Sequence, residues 1–184
     1  YGASIIKRPP ELATNEALGE DAFKHGYLEI KKILEAENKK IELIVLLFAN
    51  APTITSKLIN EGITILRKNK NLDSAVTTSV YNMWSPLRAR KIDEDGTLKP
   101  FVPFEAFGDP KKLNCDRDSQ GNVYYADMST SIVRPHCLEN IEDGLLPQKW
   151  MGKKIAPIHS WGGCDVDHEW QIPIVEFWLK KNGC

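Results

Sequence analysis

The chain has 184 residues, enough for about one domain, and its 42% hydrophobic and 27% charged residues exclude a disordered or low-complexity polypeptide. Its 24 Lys and Arg nearly balance 25 Asp and Glu, so net charge gives no reason to expect nucleic acid or an anionic membrane as partner. No apolar run approaches the roughly 20 residues needed to cross a bilayer, and no signal-peptide layout opens the chain, which predicts a soluble cytoplasmic protein.

In chain order, a short extended segment from Ala3 to Lys7 leads into Arg8-Pro9-Pro10 and then a helix. Thr14 or Asn15 is its expected cap, and Phe23, Tyr27, Ile30 and Leu34 form its buried stripe. Residues 42–49, Glu-Leu-Ile-Val-Leu-Leu-Phe-Ala, run apolar without alternation and predict a strand covered on both faces, inside α/β layers. Pro52-Thr53 breaks it, and a second helix follows with Leu58, Ile59, Ile63 and Leu66 inward. Ser74 to Met83 is the next strand. Asp93-Glu94-Asp95-Gly96 marks a turn that opens a proline-interrupted excursion from the main sheet. Residues 122–126 and 130–133 read as two short strands and 154–158 as another. Glu169 to about Lys181 closes the chain as a helix with Trp170, Ile174, Phe177 and Trp178 inward. The alternation of helix and strand is that of an α/β fold. The four cysteines, Cys115, Cys137, Cys164 and Cys184, are scattered without a CxxC pair and are expected to be reduced thiols.

Ligands of open α/β sheets sit beyond the carboxyl ends of the strands, so the strand-to-helix junctions carry most weight. Ala49-Asn50-Ala51-Pro52-Thr53 has small residues that let a ligand approach the backbone, or is an ordinary tight turn. In Cys164-Asp165-Val166-Asp167-His168-Glu169 the two aspartates, at i and i+2 of an extended segment, project to one side. Their hard oxygens suit Mg²⁺ bridging phosphates, while the competing reading makes Asp167 the N-cap of the last helix. Arg8 can contact a phosphate or a base, or pair with Glu11. Cys164 and His168 fall short of a zinc pattern, and neither a dinucleotide fingerprint, a P-loop nor a hydrolase elbow is present.

Several segments together resemble the acylneuraminate cytidylyltransferases, the CMP-sialic acid synthetase group. Tyr1-Gly2-Ala3, Arg8-Pro9 and Glu11-Leu12-Ala13-Thr14 are similar to the family's "GA…RP-x-ELA" stretch, and Asn50-Ala51-Pro52-Thr53 stands in the place of its "QPTSP" turn. Ser74-Ala75-Val76, Ser85-Pro86-Leu87-Arg88-Ala89 and Lys91-Ile92-Asp93-Glu94-Asp95-Gly96 resemble "DS…SV…P…A-K-x-D-x-DG". Gln120-Gly121-Asn122-Val123-Tyr124 is similar to "NGAIY", and Asp165-Val166-Asp167 with Glu169-Trp170 to the "DIDxxxD" metal motif.

The resemblance implies a three-layer α/β/α nucleotide-diphospho-sugar transferase-like fold with a mixed sheet. Its core would be residues 1–95 and 121–184, with a dimerisation excursion at about 96–120 and the N-terminal part missing. It implies transfer of CMP from CTP to a sialic-acid-like nonulosonic acid, with release of pyrophosphate, by a cytoplasmic homodimer. Asp165 and Asp167 would be catalytic and hold Mg²⁺, Arg8 and Asn50 would bind the nucleotide, and Tyr124 and Gln120 would face the nine-carbon acidic sugar. Phe48 and Asn50 replace the Gln and Thr of the family's turn, Trp84 stands near a place where relatives often carry His, and the family's opening Gly/Arg/Lys-rich triphosphate loop is absent from this sequence. The alternatives are a non-catalytic relative serving as a binding or assembly module, and a nucleotidyltransferase for another acidic sugar such as Kdo.

Overall fold

The structure is a computed structural model that describes residues 2–183, so the expectations for Tyr1 and Cys184 lie outside the described residues. It has a four-stranded sheet of β1 (Ile44–Leu47), β2 (Ser74–Val80), β5 (Tyr124–Val133) and β6 (Ile155–His159) in the order β1-β5-β2-β6. A separate hairpin pairs β3 (Arg90–Ile92) with β4 (Leu98–Pro100). β1 and β2 each lie antiparallel to β5, and β6 lies parallel to β2. Three strands therefore share one direction and only β5 opposes them, a mixed sheet of the α/β class.

Helices cover both faces. On one, Val76 and Val133 pack with Tyr27 of α1 (Gly19–Ala36), Cys137 and Leu138 of α3 (Pro135–Glu139), and Trp150. On the other, the next residues along the same strands, Ala75 and Ile132, meet Leu66 of α2 (Ser56–Lys68) with Ile158 of β6. This alternation is the period of two that a pleated strand imposes, and it makes three layers. The stripe expected on α2 is the one that packs, with Leu66 fully buried and Leu58 and Ile63 against the cluster. Thr55 caps α2, its hydroxyl accepting from the Leu58 N–H at 3.3 Å. The expected turn at Asp93–Gly96 closes the β3–β4 hairpin, with Gly96 at φ +76°.

Four local expectations are corrected. α1 starts at Gly19 behind Leu18, not at Thr14 or Asn15, because a short 3₁₀ turn at Pro10–Leu12 and an irregular stretch intervene. Glu20 and Asp21 then place negative charge in its first turn, where the helix dipole favours it. β1 is not covered on both faces: it lies at the sheet edge and its residues alternate between half-buried and exposed. The two short strands expected at 122–126 and 130–133 are one strand, β5, with a break in register. Val76 pairs with Ser131 but Thr78 with Ala126, so two steps along β2 oppose five along β5, and Met128 takes up φ +60° inside the bulge. At the chain's end a 3₁₀ turn (Glu169–Gln171) precedes α4 (Ile172–Lys181) and shifts its phase. Val175 and Trp178 face inward, while Trp170, Ile174 and Phe177 are exposed.

Candidate active site

Because β1, β2 and β6 run the same way, their carboxyl ends lie along one edge of the sheet, and the segments that leave them meet there. These are residues 48–55 after β1, Tyr81 after β2 and residues 160–168 after β6. The β5 bulge reaches the same edge.

The loop after β6 is held at almost every residue. The Gly163 N–H donates to Ser79 Oγ (3.2 Å), and the Gly163 carbonyl accepts from the Tyr81 hydroxyl (2.8 Å). The Cys164 N–H donates to Thr53 Oγ1 (3.1 Å), which lies 2.7 Å from Ser129 Oγ. The Val166 N–H donates to the Asn50 carbonyl (2.7 Å), and Asn50 Nδ2 donates to Asp167 Oδ1 (3.1 Å). Gln171 Oε1 accepts from the N–H groups of both Asp167 and His168. His168, not Asp167, is the cap residue of the following turn, so the Asp167 carboxylate is left for Asn50 and for the space outside.

Behind this loop sits a buried carboxylate. Asp127, at the start of the bulge, accepts from Ser79 Oγ (2.8 Å) and from the Ser129 N–H (3.2 Å). It packs so closely on Gly163 that a Cβ there would lie 2.3 Å from Asp127 Oδ2. Only glycine lets the loop pass.

In front of it opens a pocket of about 310 Å³, walled by Tyr81, Trp84, Tyr125, Asp127, Asp165 and Trp170. The Tyr125 hydroxyl donates to the Trp84 carbonyl, and the Trp170 ring stacks on His168. Burial, reinforced by the Cys164 and Asp127 side chains, pushes the Tyr81 phenol up to about 12. Tyr81 therefore remains a neutral donor to Gly163 at every physiological pH. Burial first, then Asp165 and Asp127, raises the Cys164 thiol above its ordinary value, which keeps it protonated and a poor nucleophile.

Of the residues singled out in the sequence, Asn50 and Asp167 are in contact and Asp165 is in the pocket wall. Arg8 stands exposed in the irregular segment before Pro10–Leu12. Gln120 is exposed in a turn, and Tyr124 lies beside His159 at the start of β5, whereas its neighbour Tyr125 lines the pocket. Thr53, Ser79, Tyr81, Asp127 and Ser129 were not singled out. Their signal is the run of hydroxyl residues in strands that are otherwise buried, such as Thr77, Thr78 and Ser79 in β2 and Ser129, Thr130 and Ser131 in β5. A buried polar side chain must find a partner.

Asp165 and Asp167 offer hard carboxylate oxygens, the donor set of Mg²⁺, which takes one or two carboxylates and leaves its other positions to water and phosphates. Among the described residues no group of three or more His, Cys, Asp and Glu side chains gathers to hold a metal.

No family model matches the chain, and no curated protein does. Among solved structures it is similar to CMP:2-keto-3-deoxy-manno-octonic acid synthetase complexed with CTP, at 10% identity and a TM-score of 0.47, over 85% of this chain and 68% of that one.

Proposed function

We propose that the chain is a Mg²⁺-dependent nucleotidyltransferase that moves CMP from CTP to an acidic, sialic-acid-like nine-carbon sugar. The observation that carries this reading is the clamped loop at the carboxyl end of the sheet, which sets Asp165 in the wall of an aromatic pocket and ties the carboxylate of Asp167, two residues on, to Asn50. In the reaction the sugar's anomeric hydroxyl oxygen bonds to the α-phosphorus of CTP, the bond from that phosphorus to the bridging oxygen breaks, pyrophosphate leaves, and the hydroxyl proton passes to solvent. Asp165 and Asp167 are the residues that would hold Mg²⁺, whose charge offsets that of the phosphates.

The chain's own work is positioning. Asn50 fixes the Asp167 carboxylate through a side-chain bond and fixes the loop backbone through its carbonyl, so both aspartates keep their place as charge builds up. Trp84, Tyr125 and Trp170 offer flat apolar surface to a ring and exclude water from one side of it. Arg8, Tyr124 and Gln120 are assigned to nucleotide and sugar through the family resemblance.

The test is pyrophosphate release from CTP and Mg²⁺ with a panel of nine-carbon and eight-carbon keto sugar acids. Turnover with a nine-carbon acid, lost in Asp167→Asn, supports the reading. Turnover confined to an eight-carbon acid such as Kdo keeps the chemistry and changes the substrate. Pyrophosphate release with none of them overturns the enzyme.

A further inference from the structure

The pocket in front of the loop after β6 carries charge of one sign. Two carboxylates, Asp127 and Asp165, stand in its wall with the rings of Tyr81, Trp84, Tyr125 and Trp170, and no Lys, Arg or His is among its lining residues. The proposed chemistry gives Asp165 to Mg²⁺ and leaves Asp127 without a task. Asp127 is only 5% exposed, and the bonds it accepts come from neutral donors, the Ser79 hydroxyl and the Ser129 N–H. Among the described residues it enters no ion pair. A buried carboxylate is costly without a positive partner. The rings around it are also suited to a cation, which aromatic faces attract. Tyr81 and Tyr125 meet edge to face, with centroids 6.3 Å apart, and Trp84 and Trp170 are each more than 60% exposed and so open to a ligand.

We propose that this pocket receives an ammonium group of the acceptor substrate, so that the sugar acid to be activated carries a free, unacylated amine. The ammonium donates to Asp127 and lies against the aromatic faces, and the sugar ring covers the rest of the apolar surface. An acidic sugar without that amine would bring negative charge to two carboxylates with nothing to offset it. Acetylation of the amine removes the charge and takes up room in a cavity of about 310 Å³. The identity of the acceptor as a sugar acid rests on the proposed reaction, whereas the call for a cation rests on the pocket alone.

The experiment uses the full-length gene product, with any residues encoded before Tyr1 present, so that a segment of the chain's own that fills the pocket shows itself by blocking the ligand. Calorimetry without CTP or metal titrates it with the methyl glycosides of three nine-carbon keto sugar acids that bear an amine, a hydroxyl or an acetamide at the same ring carbon. The amine should bind at least about tenfold more tightly than either of the others. Asp127→Asn keeps the shape and removes the charge, and should erase that preference. Trp84→Leu alters an exposed side chain, should narrow the preference by removing a cation–π face, and decides the matter where Asp127→Asn does not fold. Equal binding of the three glycosides, tighter binding of the acetamide, a preference that survives the substitution, or no saturation by the amine up to about 10 mM overturns the proposal. The glycosides have no free anomeric hydroxyl and cannot react, so this failure is distinct from an absence of pyrophosphate release, which alone decides the enzyme.

Discussion

Thr53 has one hydroxyl, fully buried, with the Ser129 hydroxyl, the Cys164 N–H and the Cys164 carbonyl all within hydrogen-bonding reach. Valine has the same shape and none of these bonds. Thr53→Val should therefore cost about 1–3 kcal/mol through polar groups left buried and unpaired, lowering Tm by roughly 2–4 °C for each kcal/mol, as calorimetry would read. Gly163→Ala should cost a similar ~1–3 kcal/mol for the opposite reason, overpacking against Asp127. Asp167→Asn is the contrasting case. Its side chain takes one bond from Asn50 at an exposed position and caps no helix, so melting should be nearly unchanged while pyrophosphate release falls by at least about 100-fold, within the range for lost transition-state electrostatics. A large fall in Tm would mark Asp167 as a structural residue instead. The sequence carried Asp165, Asp167 and Asn50 through residue type and spacing. It did not carry Thr53 or Asp127, because a hydroxyl or carboxylate becomes part of a clamp only when distant loops converge on it.

At the scale of elements, local chemistry and tertiary packing divided the outcome. The interior of α2 and the turn at Asp93–Gly96 were legible, since the one depends on a helical stripe and the other on turn residues. The phase of α4 was not, because the turn at Glu169–Gln171 rotates it and Trp178 is then drawn inward, its Nε1 donating to the Trp161 carbonyl at 2.7 Å. The unity of β5 was hidden by its bulge. That bulge is also what turns Asp127 and Ser129 toward the site, so the irregularity that obscured the strand is the feature that builds the pocket wall. Asp73, at the start of β2, ties that strand to α3 and to the approach to β6. Its Oδ2 accepts from the N–H groups of Lys153 and Lys154 (2.8 and 2.9 Å), and its Oδ1 lies 3.1 Å from His136 Nε2. Burial alone would raise the carboxyl, but these donors outweigh it and hold it below its ordinary value. Its contribution to stability is complete above the unfolded value of about 4 and is lost as pH falls through the lower native value. Denaturant midpoints should thus decline below about pH 4 in the wild type, and Asp73→Asn should flatten that part of the decline. An unchanged acid limb would contradict this role for the residue.

For the whole molecule, the α/β alternation predicted layers, and layers are found, with α1 and α3 on one face of a mixed sheet and α2 on the other. What the linear pattern could not supply is strand order. An apolar run such as residues 42–49 reads the same in the middle of a sheet as at its edge, and here it lies at the edge. The homodimer implied by the family resemblance, whose dimerisation excursion is placed at about 96–120, is proposed here to use the neighbouring β3–β4 hairpin. Ile92 and Leu98 of the β3–β4 hairpin, with Phe101 beyond it, are each more than 60% exposed, and a self-associating hairpin would cover them. Sedimentation should show a dimer that Ile92→Glu with Leu98→Glu converts to monomer; a wild-type monomer at all concentrations would leave the hairpin without that role. The central claim, that the clamped loop after β6 holds the metal and nucleotide, is tested most directly by mapping Mn²⁺ on the whole chain. Amide resonances would be followed by NMR as Mn²⁺ is added with CTP. The account predicts selective broadening at Ala49–Ala51 and Cys164–His168, abolished in Asp165→Asn with Asp167→Asn. Broadening centred instead on exposed acidic turns such as Asp93–Asp95 or Asp116–Asp118, or a double variant that broadens like the wild type, would contradict it.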